Sequence, residues 1–338
     1  MTNPIPQWCN DIPKVELHLH LEGAIPLPAL WQLMQKYGGN PEVPTPAALA
    51  QQFTYRDFPH FIQTWIWKNQ YIRELEDFTF IAEAVARDLA RQNIRYVEAF
   101  FSPGDFARHG LIAQEIAVAI RAGLKRVPGV RVRLIADVIR DTGPDTEKAM
   151  ATLATMTEVR DQDVIGIGLG GSEQDFPAEL FTPVFEEARR RGFHTTAHAG
   201  EAAGAESVRA ALEVLHVERI GHGVRAIEDP DLVRTLAALH TPLEVCPISN
   251  ICTNVYPSIR EHPVRKLFES GVTVTLNTDD PKMFGNSLAL EYATLVEELG
   301  FTRADIQQTL VNAIRASWLT DSEKASLTAE FSRDPAWQ

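Results

Sequence analysis

The sequence predicts an α/β fold, a single (β/α)8 TIM-type barrel over residues 1–338 with a helical insert after the first strand. Three observations predict it. Eight short runs rich in β-branched residues recur along the chain, stretches of helical period separate them, and polar residues collect at the C-terminal ends of the runs. Such alternation marks repeated βα units and a parallel sheet, and a chain of 338 residues is within reach of one barrel.

In order, the runs are Val15–His20, Ile94–Ser102, Val130–Ile139, Val164–Gly171, Phe193–Glu201, Arg219–Val224, Pro242–Asn250 and Thr273–Asp280. After the fifth, Val208, Leu212 and Leu215 share one face beyond Ala205, as an amphipathic return helix requires. The connection between the first two runs is longer than the rest and carries two stripes at helical spacing. One is Phe58, Phe61, Ile62 and Trp65; the other is Phe78, Ile81, Val85 and Leu89. Both fit core-facing helix surfaces. The aromatic cluster through Trp65 and Trp67 also fits the roof of a substrate site, because barrel active sites are built from the loops that follow strand C-termini. No linker-like stretch, internal repeat or low-complexity tract marks a domain boundary.

Composition narrows the function classes. Hydrophobic residues at 45% and charged residues at 23% supply an ordinary globular core. A formal net charge of -13 disfavours nucleic-acid phosphates and anionic membrane surfaces, so the expected partner is a small molecule, with no nucleic acid and no membrane. Oligomeric state is left open. Cys9, Cys246 and Cys252 form no C-x-x-C pair, which argues against a disulfide framework and a thiolate zinc site. The N-terminal residues MTNPIPQWCND lack a basic region followed by an apolar run, and no stretch approaches the ~18 apolar residues of a membrane span. A cytoplasmic protein is expected.

His18 and His20 are two apart on the first run, so both point into the barrel mouth. Alone, an H-x-H pair fits two satisfied core histidines as well as two metal ligands. The fifth run ends in His198-Ala199-Gly200-Glu201, the sixth in Gly221-His222-Gly223 and the eighth in Asn277-Thr278-Asp279-Asp280. Ends far apart in sequence face one another across a closed barrel, and three histidines with a carboxylate suit zinc. Each residue also has a plainer reading: His198 as a core histidine, and Glu201 as the opener of a helix. His222 lies between two residues without side chains, which leaves room for a ligand. Asp279 and Asp280 set like charges side by side after Val272–Leu276, an arrangement that needs a cation or donors nearby.

Two decoys fall away. Gly166–Gly171 matches G-x-G-x-x-G, but a dinucleotide site needs a helix next and an acidic residue ~20 positions on, and neither is present. No basic residue between Cys246 and Cys252 would stabilise a thiolate, and Cys246 reads as a small core residue.

The ordered set Pro13-Lys14-Val15-Glu16-Leu17-His18-Leu19-His20-Leu21-Glu22-Gly23, His198-Ala199-Gly200-Glu201, Arg219-Ile220-Gly221-His222-Gly223, Cys246-Pro247-Ile248-Ser249-Asn250 and Asn277-Thr278-Asp279-Asp280-Pro281 resembles the adenosine/adenine deaminase family of the amidohydrolase superfamily. The resemblance implies one Zn2+ per chain, held by His18, His20, His198 and Asp279. It implies catalytic roles for Glu201, which protonates purine N1, for His222, which orients the attacking water, and for Asp279. Substrate contacts are implied for His20, Glu22, Gly171, whose N–H meets N3, and Asp280, the partner of N7. A bridged two-metal site is not implied, since the fourth run ends in glycines and Ser172 rather than a lysine. The implied reaction is hydrolytic deamination of a 6-aminopurine nucleoside, adenosine or 2′-deoxyadenosine, to inosine or 2′-deoxyinosine plus ammonia. Free adenine or a modified nucleoside such as aminodeoxyfutalosine is the alternative substrate, and a catalytically silent purine-binding barrel the remote alternative. Glu22 stands where adenosine deaminases typically carry Asp; its carboxylate is expected beside the N9 substituent, where it would reject a 5′-phosphate.

Overall fold

A computed structural model describes residues 4–140 and 146–338. Its strands are β1 (Lys14–His20), β2 (Ile94–Phe101), β3 (Arg131–Ile139), β4 (Val164–Gly170), β5 (His194–Ala199), β6 (Arg219–His222), β7 (Leu243–Val245) and β8 (Val274–Leu276). They pair in sequence order, every pair parallel. The sheet closes at its mouth through a parallel bridge between Leu19 and Asp279, where His20 N–H donates to Asp279 O at 2.9 Å and Asp279 N–H to His18 O at 3.1 Å. This is the predicted barrel. Helices cover the outside, so strands such as β1 are buried along their whole length.

Six predicted strands end within two residues of the observed ones; the last two are much shorter than expected. Pro247 has no N–H for a ladder and instead occupies the first turn of a helix, Pro247–Cys252, so β7 stops at Val245. After β8 the backbone turns irregular, and Asp279 takes a left-handed conformation with φ 65°.

The insert forms helices Leu27–Lys36, Pro46–Gln51, Phe58–Asn69 and Leu75–Arg91. The stripe Phe78, Ile81, Val85 and Leu89 is core. The other stripe does both jobs weighed for it. Asp57 starts the helix Phe58–Asn69 by accepting the His60 N–H at 2.8 Å, and its Phe58, Phe61, Ile62 and Trp65 face a cavity above the barrel. Trp67 departs from expectation: it points away from the cavity, its ring 5.9 Å from that of Tyr71. Among the described residues, no helix is long and apolar enough to cross a membrane.

Candidate active site

The C-terminal ends of the strands surround a cavity of about 810 Å3, open to solvent at its mouth. His18 and His20 from β1, His198 from β5 and Asp279 after β8 converge on its floor. His18 Nε2 is 3.0 Å and His20 Nε2 3.2 Å from His198 Nε2. Asp279 Oδ1 lies 3.5 Å from His18 Nε2 and 3.3 Å from His20 Nε2.

The hydrogen bonds behind these rings decide what the cluster is for. His18 Nδ1 faces a carboxylate, Glu244 Oε2, at 2.8 Å, and His198 Nδ1 faces a carbonyl, Leu169 O, at 3.0 Å. Both partners only accept, so both Nδ1 atoms carry a proton and the two Nε2 atoms are left facing each other. At 3.0 Å they repel unless a proton or a metal ion lies between them, and the site attracts positive charge: burial opposes a second proton on His18, but the Asp279 and Glu244 carboxylates prevail and raise it to about 10. The residues thus fit a metal, and N/O donors of this kind with their outer Nδ1–H bonded suit zinc. His18, His198, His222 and Asp279 form one group able to hold an ion, and His20, Asp279 and Asp280 another, both buried.

Glu244 was not singled out in the sequence, though it alternates with the apolar Leu243 and Val245 and so had to point inward. It is held in turn by Arg219 Nε at 2.5 Å; Arg219 also reaches Glu98 at 2.5 Å and lies 3.6 Å from the Trp318 ring. This fully buried ion network plugs the barrel under His18. Gly221 leaves space for that ring, because a Cβ there would come within 2.8 Å of His18 Cε1.

Glu201 does not open a helix, since the next one starts at Ala205. Its buried side chain faces the cavity, and Oε2 is 3.5 Å from His222 Nε2. Glu173 makes the loop that presents it: one carboxylate accepts the N–H groups of Gly200, Glu201, Ala202 and Ala203 at 2.5–3.1 Å. Burial, then the negative charges of Asp279 and Glu173, push Glu201 well above the usual carboxylate range, which favours the protonated acid. Asp280 is likewise raised, by burial and then by Asp279. Asp279 moves the other way: burial opposes ionisation, but the imidazoles of His18 and His20 prevail and hold it well below the range. Ser249 Oγ donates to Asp279 Oδ2 at 2.7 Å. His222 and Asp279 both hold left-handed backbones, φ 57° and 65°, a strain typical of functional positions.

Asp280 and Gly171 line the cavity as expected. Gly23 makes Asp280 possible, because a Cβ there would lie 1.7 Å from Asp280 Oδ1. Gly23→Ala is therefore expected to displace Asp280 and cost on the order of 10²-fold in kcat/KM, as misplacement by about 1 Å does. Unchanged kinetics in the folded, metal-loaded variant would contradict this.

Glu22 is placed differently from expectation. β1 ends at His20 and the chain turns, so strand alternation no longer governs residue 22. Glu22 is buried at the edge of the cavity, 1% exposed: Oε1 accepts the N–H of the lining residue Ser102 at 3.0 Å, Oε2 has no hydrogen-bond partner among the described residues, and its carbonyl accepts Lys68 Nζ at 2.8 Å. The carboxylates that line the wall beyond the metal cluster are Asp105 and Asp137, neither singled out in the sequence. Asp105 accepts from Trp65 Nε1 at 2.9 Å. Asp137 fills the space left by Gly168 and Gly170, its Oδ1 has no hydrogen-bond partner among the described residues, and burial lifts its carboxyl to about 8.

Comparisons with known proteins agree with this geometry. The model of the family described as Adenosine deaminase matches residues 13–333. An aminodeoxyfutalosine deaminase of Streptomyces avermitilis is 37% identical over 95% of this chain and 90% of its own. An adenine deaminase of Rhizobium leguminosarum bv. trifolii is 38% identical over 94% of this chain and 98% of its own. Among solved structures, an amidohydrolase from Burkholderia ambifaria with bound Zn superposes with a TM-score of 0.89 at 31% identity, covering 98% of this chain and 93% of that one. An Arabidopsis N6-mAMP deaminase gives 0.87 at 27% identity, covering 97% and 99%.

Proposed function

The chain belongs to the adenosine deaminase family, and from that premise we propose that it catalyses zinc-dependent hydrolytic deamination of a 6-aminopurine nucleoside. The observation that carries this reading is the lining of the cavity. It joins the histidines, Asp279, Glu201 and Asp280 with the polar Ser102, Asp105 and Asp137 and the apolar Phe58, Ile62 and Ile66. A purine beside the histidines and carboxylates, a sugar against the polar groups and a further substituent against the apolar ones would use each set.

One zinc per chain, on His18, His20, His198 and Asp279, would lower the pKa of water and so supply the nucleophile at neutral pH. The remaining work falls to the chain's own groups. Glu201, kept protonated by burial and by its acidic neighbours, donates to N1 as charge builds on the ring. Asp280, also raised, holds a proton that it can donate to N7 through an oxygen with no other hydrogen-bond partner. The Gly171 N–H meets N3, and His222 aligns the attacking oxygen.

Adenosine and aminodeoxyfutalosine are the candidate nucleosides, the second by analogy with the Streptomyces relative. The second reading is free adenine, favoured by the Rhizobium relative of similar identity. A 5′-phosphate suits the cavity poorly: among the described residues its lining contains no lysine or arginine, and Asp105 and Asp137 face the region the substituent would enter. Burying a phosphate with no cation to pair it, beside the acidic Asp105 and Asp137, costs several kcal/mol, so kcat/KM for AMP is expected at least about 10²-fold below that of the best nucleoside. Ammonia release from adenosine, adenine, aminodeoxyfutalosine and AMP tests this. Adenine as the best substrate would replace the first reading by the second; AMP as the best would contradict the role given to Asp105 and Asp137.

A further inference from the structure

We propose that Asn250 and His262 are positioning residues that lock His222 as the Nε2–H tautomer, making it a hydrogen-bond donor to the attacking oxygen and not a base. The proposal rests on the reading of the cavity as a deaminase site, but its geometry stands apart from that reading.

The argument starts from a donor whose direction is fixed. The backbone N–H of Val264 points at His262 Nδ1, at 3.2 Å. A backbone N–H only donates, so His262 Nδ1 is the unprotonated nitrogen and the ring's proton sits on Nε2. That Nε2 lies 3.1 Å from the Asn250 side chain and must donate to its oxygen, Oδ1. The amide of Asn250 is thereby oriented, and its Nδ2 faces His222 Nδ1 at 3.1 Å. An amide nitrogen donates, so His222 Nδ1 accepts, and the remaining proton of the neutral ring is on Nε2. One polarity runs without a break from Val264 to His222.

Burial makes the order of the chain costly to reverse. Asn250 and His222 are fully buried and His262 is 3% exposed, so no solvent stands ready to satisfy a flipped amide. Burial also pushes the His262 imidazole down to about 3, in keeping with a neutral ring. Asn250 itself is anchored in the short helix Pro247–Cys252, and its carbonyl accepts the N–H groups of Val255 and Tyr256 at 2.9 and 3.1 Å. At the far end, His222 Nε2 makes no hydrogen bond among the described residues and points toward the cavity floor, 3.5 Å from Glu201 Oε2 and 3.9 Å from Asp279 Oδ2. With its proton on Nε2 the ring donates toward that floor and keeps no free lone pair with which to act as a base.

The test is the tautomer itself, read from long-range nitrogen–proton correlation spectra of zinc-loaded protein labelled on histidine nitrogens. The wild type is expected to show His222 as the Nε2–H form; an Nδ1–H or doubly protonated ring would overturn the proposal whatever the activity. Asn250→Asp replaces the donor by a carboxylate oxygen and is expected to reverse His222 to Nδ1–H. A wrong tautomer in a catalytic site costs up to about 10⁴-fold, so kcat should fall at least ~10²-fold with KM little changed. A folded Asn250→Asp that keeps the Nε2–H form, or that reverses it at full kcat, would also overturn it. The wild-type spectrum decides the matter if that variant does not fold. Absence of deamination with the Nε2–H form present would instead remove the proposed function and leave the relay standing.

Discussion

Replacing Glu201 by glutamine is expected to reduce kcat by about 10²–10⁴-fold while leaving zinc bound and the fold intact. The amide has nearly the shape of the carboxylic acid but cannot give up a proton to N1. Nothing else about the residue should change, because Glu173 holds the loop through the backbone N–H groups of residues 200–203 and not through the Glu201 side chain. Burial and the charges of Asp279 and Glu173 raise the group well above the usual carboxylate range, which favours the protonated acid. Steady-state kinetics and metal analysis on the same preparation check the result. A zinc-loaded Glu201→Gln protein with wild-type kcat would remove Glu201 from proton transfer.

Metal removal is expected to have an effect at least as large. Chelation should abolish turnover, and one equivalent of zinc should restore it. It should also lower the melting temperature, because an ion that binds the folded state alone stabilises it by mass action. The physical reason is the pair of Nε2 atoms on His18 and His198, set 3.0 Å apart by Glu244 and Leu169, which need a cation between them. A zinc content near two per chain, or full activity after demonstrated removal, would contradict a single catalytic ion.

Much of this was legible in the sequence because barrel strands carry strong signals. Eight β-branched runs separated by amphipathic stretches fix the strand order, and the order brings His18, His20, His198, His222 and Asp279 to one end. Legibility fails where the backbone leaves the regular strand. Alternation does not reach Glu22, because β1 ends two residues earlier and the turn holds its carboxylate on the Ser102 N–H at the edge of the cavity. Pro247 shortened β7 for a reason visible in the sequence, the missing N–H. Asp137 was hidden for another reason: its place facing the cavity depends on the glycines of the neighbouring strand, which no periodicity within β3 reports. Asn250 lay in a quoted motif, yet its orientation follows from Val264 and His262, more than ten residues further on.

The reaction itself is open to a single isotopic measurement. Zinc-loaded protein is incubated with adenosine or aminodeoxyfutalosine in water enriched in heavy oxygen, and the product is weighed by mass spectrometry while ammonia is counted. Hydrolytic deamination places one heavy oxygen at C6 of the product and releases one ammonia per turnover. A product without the label, or no conversion of any 6-aminopurine by a folded, zinc-loaded protein, would contradict the assignment of this cavity as a deaminase site.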